Sequence, residues 1–200
     1  MPAADLDRQL SFLREIDQLK GVVRQSPLLD RSRRENSAEH SWHVALYAML
    51  LHKYAAAPVD ASRVIRMLLI HDIVEVDAGD HPLHLSGPDS QQAGLESQAA
   101  ERLFGLLPAE QKGEMLELWR EFEAGESDDA KFAKALDRFQ PLVANVVTGG
   151  GTWAVNGVTL EQVKVRYGTT IQRGAPELWK LCEPWIGEYF SREKESHPGA

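Results

Sequence analysis

The sequence contains a single cysteine, Cys182, and no apolar run long enough to cross a membrane. One thiol excludes an internal disulfide framework and a zinc site made of several cysteines. A membrane-spanning helix needs about 20 apolar residues, whereas the most apolar run, residues 44–51, ends at His52. The N-terminus lacks the basic start and apolar stretch of a secretory signal. These absences predict a cytoplasmic protein in a reducing compartment.

Positive charge is also scarce. Lysine and arginine total 22, against 30 aspartate and glutamate residues, which gives a net charge of −8. Tight binding to long nucleic acid needs a basic face that displaces counterions, so this charge disfavours nucleic-acid polymers as partners. The chain has 200 residues, of which 43% are hydrophobic. Such a length and composition are typical of one globular domain with a substantial core.

Apolar residues recur three and four positions apart through most of the chain, which is the spacing of helices that bury one face. Asn36, with Glu39 three positions later, has the pattern of a capping box, and Asp60 can cap the next helix. Residues 25–34 are predicted to form a loop, as are residues 82–92, which carry the proline, glycine and serine typical of loops.

The same periodicity predicts further helices at residues 93–107, 108–124, 128–147, 159–173 and 176–190. No segment shows a convincing alternating pattern of the kind that strands have. We therefore predict an all-α fold, a single domain over residues 1–190, followed by a frayed tail over residues 191–200.

Residue types that bind metals are embedded in apolar sequence. His71 and Asp72 interrupt the apolar stretch 67–76, and Asp137 lies inside an apolar helix. An unpaired buried carboxylate is costly, and a metal ion would compensate it. Imidazoles and carboxylates together suit a divalent ion of intermediate softness, such as manganese, cobalt, iron or zinc, and such an ion activates water for hydrolysis. From spacing alone, a surface or capping role for the His-Asp pair stays equally open.

Three ordered blocks of sequence resemble a known family. They read Arg-Glu-Asn-Ser-Ala-Glu-His-Ser at residues 34–41, His-Asp-Ile-Val-Glu-Val-Asp-Ala-Gly-Asp at 71–80 and Ala-Leu-Asp-Arg-Phe-Gln-Pro-Leu at 135–142. Their order is similar to the H…HD…D motif of the HD superfamily of metal-dependent phosphohydrolases. Over about residues 6–185 the chain looks most like the HD-domain 5′-deoxynucleotidases, the YfbR-like group. The resemblance implies an HD-type helical bundle.

The resemblance also implies a role for each matching residue. Glu75 matches the acid that works with the metal-activated water, and Asp80 matches a second acid near the sugar and the leaving oxygen. The loop from Asp80 to Leu83 would border the nucleoside. The residues that match the family's ligands for one divalent ion, such as Mn²⁺ or Co²⁺, are His40, His71, Asp72 and Asp137.

One position departs from the family pattern. The deoxynucleotidases carry an Arg-Trp pair before the proline that aligns with Pro27, and this chain has Gln25-Ser26 there. In the family that pair holds phosphate and discriminates the sugar, so the preference for deoxyribose is open here. The N-terminus of the following helix favours anions. Phosphate contacts are predicted instead at Arg24, Arg33 and Arg34.

The residues and the resemblance together predict a metal-dependent phosphohydrolase for a small phosphorylated metabolite, foremost a (deoxy)nucleoside 5′-monophosphate. Two alternatives stay open: an HD hydrolase of a triphosphate, cyclic dinucleotide or alarmone, and a metal-stabilised helical binding protein without turnover. Retention of Glu75 and Asp80 favours the enzyme, because a binding module needs no acids beyond its ligands. The resemblance, together with a surplus of tryptophans and apolar positions, predicts a homodimer.

Overall fold

The structure is a computed structural model that describes residues 2–81 and 90–196. Within these ranges the chain forms helices α1 (Pro2–Glu15), α2 (Ser37–Leu51), α3 (Ala61–Ile70), α4 (Glu75–Ala78), α5 (Ser90–Phe104), α6 (Ala109–Ala124), α7 (Asp128–Val147), α8 (Gly151–Asn156), α9 (Leu160–Val163), α10 (Thr169–Gly174) and α11 (Pro176–Ser196). Tighter 3-10 turns occur at Ile16–Gly21, His52–Tyr54 and His71–Val74, and a wider π turn at Lys164–Gly168. The predicted all-α bundle is confirmed.

Helices α2 and α3 begin at the caps that the sequence predicts. The Asn36 side chain accepts the backbone N–H of Glu39 at 3.0 Å, and the Glu39 carboxylate accepts the N–H of Asn36 at 3.1 Å. The Asp60 carboxylate accepts the N–H groups of the two residues that begin the next turn, Ser62 and Arg63. The two helices pack against each other. The cap at Asn36 therefore places His40 at the end of the first turn of α2.

Helix α7 is the centre of the bundle and packs against α2, α3, α6 and α10. Phe132, Leu136 and Leu142 on this helix are fully buried. Pro141 lies inside the helix. It has no N–H to offer the carbonyl one turn earlier, which belongs to Asp137, so the regular hydrogen-bond ladder is broken at that turn. The most buried helix of the fold thus carries an irregular turn at a candidate ligand.

The segment predicted as a loop at residues 25–34 belongs to a hairpin. Residues 25–27 and 34 lie in its two strands, and the residues between them connect the strands. Strands β1 (Val23–Pro27) and β2 (Arg34–Asn36) pair antiparallel, with Val23 opposite Asn36 and Pro27 opposite Arg34. The register shifts within β1, so its buried and exposed residues do not alternate. This irregularity explains why no strand pattern was visible. The hairpin is supported by contacts of β1 with α7 and α8, which an isolated two-stranded hairpin lacks.

The C-terminal part is helical as predicted, with two differences. A short helix, α8, begins at the last of the glycines at 149–151, between the helices predicted at 128–147 and 159–173. The three glycines have positive φ values of 70°, 107° and 43°, which favour glycine. Helix α11 runs to Ser196, so the first residues of the predicted tail at 191–200 are helical. In the described ranges, no helix combines the length and apolarity that crossing a membrane requires.

Candidate metal centre and active site

Four candidate ligands converge from three parts of the chain: α2, the 3-10 turn that follows α3, and α7. Asp137 Oδ1 lies 3.0 Å from His40 Nε2 and 3.5 Å from His71 Nε2. Asp72 Oδ1 lies 3.1 Å from His71 Nε2, and Asp72 Oδ2 lies 4.0 Å from His40 Nε2. Donor atoms that share one ion at bonds of about 2.0–2.3 Å lie roughly 3–4.5 Å apart. The spacing of this cluster therefore fits a single ion.

The backbone sets the tautomer of His71. Its Nδ1 lies 2.8 Å from the carbonyl oxygen of Leu68. A carbonyl can only accept, so Nδ1 carries the proton and Nε2 is directed at Asp72 and Asp137. His71 Nε2 is buried and has no hydrogen-bond partner within residues 2–81 and 90–196. A buried, unprotonated imidazole nitrogen without a hydrogen bond is typical of a metal ligand.

His40 is oriented by two buried residues, Gln140 and Glu35. The Glu35 carboxylate accepts from Gln140 Nε2 at 3.2 Å, which turns the amide oxygen of Gln140 towards His40 Nδ1 at 3.0 Å. His40 therefore donates through Nδ1 and presents Nε2 to Asp137. Ligand histidines are commonly fixed by a polar partner on their second nitrogen.

The cluster needs a positive charge at its centre. Burial lowers the pKa of His40, but the carboxylates of Asp137 and Glu35 outweigh burial, and the net effect is a raised pKa. Burial likewise opposes charge on His71, and Asp72 and Asp137 raise its pKa. The surrounding carboxylates thus favour positive charge at this point, which a divalent ion would supply. The donor set thus fits a divalent metal, which is also what the mixture of imidazole and carboxylate favours.

Three groups beside the cluster form a second layer of charge. Arg24 Nη1 lies 2.9 Å from Asp72 Oδ2, 3.5 Å from Asp80 Oδ1 and 3.8 Å from Glu75 Oε1. The hydroxyl of Ser37 donates to Glu75 Oε2. Arg24, one of the predicted phosphate-binding residues, therefore contacts the candidate ligand Asp72 and also lies within 4 Å of both predicted catalytic acids.

Burial gives these acids unusual proton affinities. Desolvation first, and then the charge of Asp72, raise the pKa of Glu75 to about 9. Burial also raises the pKa of Asp80, against the opposing charge of Arg24. A carboxyl group that holds its proton near neutral pH can serve as a general acid, and after losing it as a base.

The cluster opens into a pocket of about 270 Å³. One wall comes from the hairpin, through Arg24, Gln25 and Ser26. Helix α7 forms a second wall, because residues three, four and seven positions apart share one helix face. That stripe consists of Lys134, Asp137, Arg138 and Pro141. The pocket thus combines the candidate ligands with acids and cations in a space suited to a small anionic molecule.

Not every predicted substrate contact reaches this pocket. Arg33 pairs with Glu39 at 2.6 Å on the surface, and Arg34 is exposed on β2; neither lines the pocket. Leu83 lies outside the described residues, so its contact with a nucleoside stays a prediction. Gln25 and Ser26, which replace the family's Arg-Trp pair, do line the pocket.

Sequence reasoning missed several residues of the site. Glu35, Lys134, Arg138 and Gln140 were not singled out, although three of them lie within the quoted sequence blocks. Lys134 could have been found from helical spacing, since it lies three residues before Asp137, whereas Arg138 directly follows Asp137 and that spacing does not place two side chains on one face. Glu35 and Gln140 gave no such signal, because a buried polar pair becomes visible only when two distant elements are packed together.

The family model described as "HD domain" matches residues 16–179 of the chain. The chain belongs to the HD domain family. Among solved structures, the chain is similar to a protein from Magnetospirillum magnetotacticum MS-1 that is described as a predicted metal-dependent phosphohydrolase. The TM-score is 0.88 at 48% identity, over 95% of this chain and 97% of that one. A conserved hypothetical protein from Pyrococcus furiosus, at 17% identity and a TM-score of 0.60, shares the fold alone.

Named relatives agree with the expected group. The human 5′-deoxynucleotidase HDDC2 is 31% identical over 135 residues, which are 67% of this chain and 65% of the human protein. The chain thus matches slightly less than two thirds of that relative's length. The 5′-deoxynucleotidase of Erwinia tasmaniensis is 27% identical over 188 residues, 89% of this chain and 91% of the relative. The expected resemblance to HD-domain 5′-deoxynucleotidases is confirmed.

Proposed function

We propose that the protein is a metal-dependent phosphohydrolase that releases phosphate from a nucleoside 5′-monophosphate with a ribose or deoxyribose sugar. The observation that carries the proposal is the cluster of His40, His71 and Asp72, whose donor atoms lie within 4.8 Å of one another. Asp137 Oδ1 lies within 3.5 Å of both histidines, and Arg24 links Asp72 to Glu75 and Asp80. The names of the relatives support the substrate class, since several are called 5′-deoxynucleotidases.

The buried histidine nitrogens and the two carboxylates would hold the ion, which we propose to be Mn²⁺, Co²⁺ or a similar divalent metal. When bound, such an ion neutralises charge on the phosphate and lowers the pKa of water for attack on phosphorus. The orientation of His40 by Gln140 and of His71 by Leu68 keeps the donor atoms ready before the ion arrives.

The protein's own acids move the protons. The positive charge of a bound divalent ion would lower the pKa of Glu75 from its raised metal-free value. The Glu75 carboxylate, which Ser37 keeps in place, then accepts the proton of the attacking water. Asp80, whose raised pKa favours the protonated form, donates to the departing sugar oxygen. Arg24 stays our predicted phosphate contact on the hairpin side of the pocket.

Phosphate release from a substrate panel tests this function. Metal-stripped protein is reloaded separately with Mn²⁺, Co²⁺, Mg²⁺ and Zn²⁺. It is then offered 5′- and 3′-monophosphates of ribo- and deoxynucleosides, triphosphates, a cyclic dinucleotide and an alarmone. We expect metal-dependent release from 5′-monophosphates, with the 3′ isomers inactive. Selective release from another member of the panel would replace the substrate class. Metal binding with no turnover of any member would indicate a binding protein and overturn the proposal.

We also propose that two copies associate. Trp42, Met49 and Leu50 on α2 are 59%, 52% and 66% exposed, and positions seven and eight apart share a helix face. Of the other four tryptophans, Trp119, Trp153 and Trp179 are buried in the core and do not support this interface, whereas Trp185 is 36% exposed. The cytoplasmic location stays a prediction.

A further inference from the structure

Three cations line the described part of the pocket, and they differ in how fully their charge is compensated. Arg24 lies within 4 Å of carboxylate oxygens of Glu35, Asp72, Glu75 and Asp80. Its side chain is 13% exposed. Four carboxyl groups therefore already engage this one guanidinium. Arg24 alone therefore does not supply the positive charge that a phosphate dianion needs.

Lys134 is also engaged by its surroundings. Its ammonium lies 3.3 Å from Glu123 Oε1 and 4.2 Å from the centre of the Phe122 ring. The side chain is 24% exposed. A carboxylate and an aromatic face together compensate this charge well.

Arg138 is different. Its Nη1 donates to Asp137 Oδ2 at 2.7 Å, and this is its one ion pair among the described residues. Its side chain is 31% exposed, the largest value of the three cations. The other oxygen of the same carboxylate faces His40 and His71. Arg138 thus lies beside the candidate metal centre with most of its five donor groups uncommitted within the described structure.

We propose that Arg138 binds the phosphate group of the substrate from the α7 side of the pocket. The proposal rests on the proposed function and adds a residue to which the resemblance assigned no role. A guanidinium matches phosphate oxygens with paired donors. Because Asp137 links Arg138 to the metal site, a phosphate that reaches the ion also meets this guanidinium. Asp137 holds the arginine in place, and the pocket supplies the ligand for its remaining donors.

Calorimetric titration with inorganic phosphate tests the proposal without requiring turnover. Mn²⁺-loaded wild type is compared with Arg138→Gln, which removes the charge, and Arg138→Lys, which keeps the charge without the paired donors. Arg66→Gln is the matched control, because Arg66 also pairs with a single carboxylate, Glu114, but lies outside the pocket. We expect phosphate affinity to fall about 10- to 100-fold in Arg138→Gln and less in Arg138→Lys. The Arg66 control should bind like the wild type.

Metal content separates this role from a structural one. If Arg138 binds phosphate, Arg138→Gln retains its manganese, the KM for the nucleotide rises, and inhibition by the free nucleoside is unchanged. Wild-type phosphate affinity in Arg138→Gln would overturn the proposal. So would a parallel loss of manganese, since Arg138 would then serve to hold Asp137. If the wild type hydrolyses no nucleotide, the proposed function fails, and the phosphate titration still decides the role of Arg138.

Discussion

Replacement of Glu75 by glutamine should remove activity and stabilise the metal-free protein. Glutamine has the shape of a protonated glutamate and can still accept the hydrogen bond from Ser37. It cannot accept the proton of an attacking water. We therefore expect metal-loaded Glu75→Gln to keep its ion and to lose about 10²- to 10⁴-fold in phosphate release, the range for a positioned acid or base.

The stability effect follows from the pKa of Glu75. Burial and Asp72 raise this pKa to about 9 in the folded metal-free protein, from the ordinary glutamate value of 4.5. Folding therefore takes up a proton between these two values. The contribution of Glu75 protonation to the unfolding free energy is fully present below about pH 4.5. It is lost as the pH rises towards 9, at about 1.4 kcal/mol per pH unit. Glutamine has no proton to take up. At pH 8 the variant should exceed the wild type by at most about 5 kcal/mol in unfolding free energy.

Chemical denaturation at several pH values, with chelator present, measures this difference. Asp77→Asn is the matched control, because Asp77 is on the same short helix but pairs with Arg102 at the surface. That variant should lose up to about 1 kcal/mol and keep its activity. Near-normal phosphate release from metal-loaded Glu75→Gln would refute the catalytic role. An identical pH dependence for wild type and Glu75→Gln would refute the burial argument.

Three further predictions concern the metal and the assembly. Asp137→Asn should lose bound metal, and with it the rise in melting temperature that Mn²⁺ gives the wild type; elemental analysis and thermal scans check both. Gln140→Leu leaves His40 Nδ1 without its acceptor and should weaken Mn²⁺ binding about 10- to 100-fold in a chelator competition, whereas unchanged affinity would contradict the orienting role. Light scattering should give twice the 22.3 kDa chain mass, and Trp42→Glu should shift it towards the monomer; a wild-type monomer at micromolar concentration contradicts the dimer.

The parts of the fold that the sequence predicted are those with local causes. The caps at Asn36 and Asp60 depend on residues three positions away or fewer, and both form as expected. Helix α4 likewise ends for a local reason, because Gly79 follows it with a φ of 75°. The four ligand positions could be chosen because charged residues inside apolar helices are visible in the sequence and because the blocks resemble a family.

The parts that were missed depend on distant packing. The hairpin at residues 23–36 is held by α7 and α8, which lie more than 90 residues further along the chain. Arg33 and Arg34 were predicted as phosphate contacts because they precede a helix N-terminus. In the structure Arg33 pairs with Glu39 instead. Which arginine faces a pocket is decided by helix packing, and one sequence contains no direct signal of it.

The distance along the chain between the candidate ligands has a consequence for the order of events during synthesis. His40 and Asp137 are 97 positions apart, and closing a flexible loop of that length costs about 4 kcal/mol of chain entropy. The donor set is therefore absent from a nascent or unfolded chain. We therefore expect the protein to fold around its buried acids before it takes up the ion, so that metal loading is a step separate from chain synthesis.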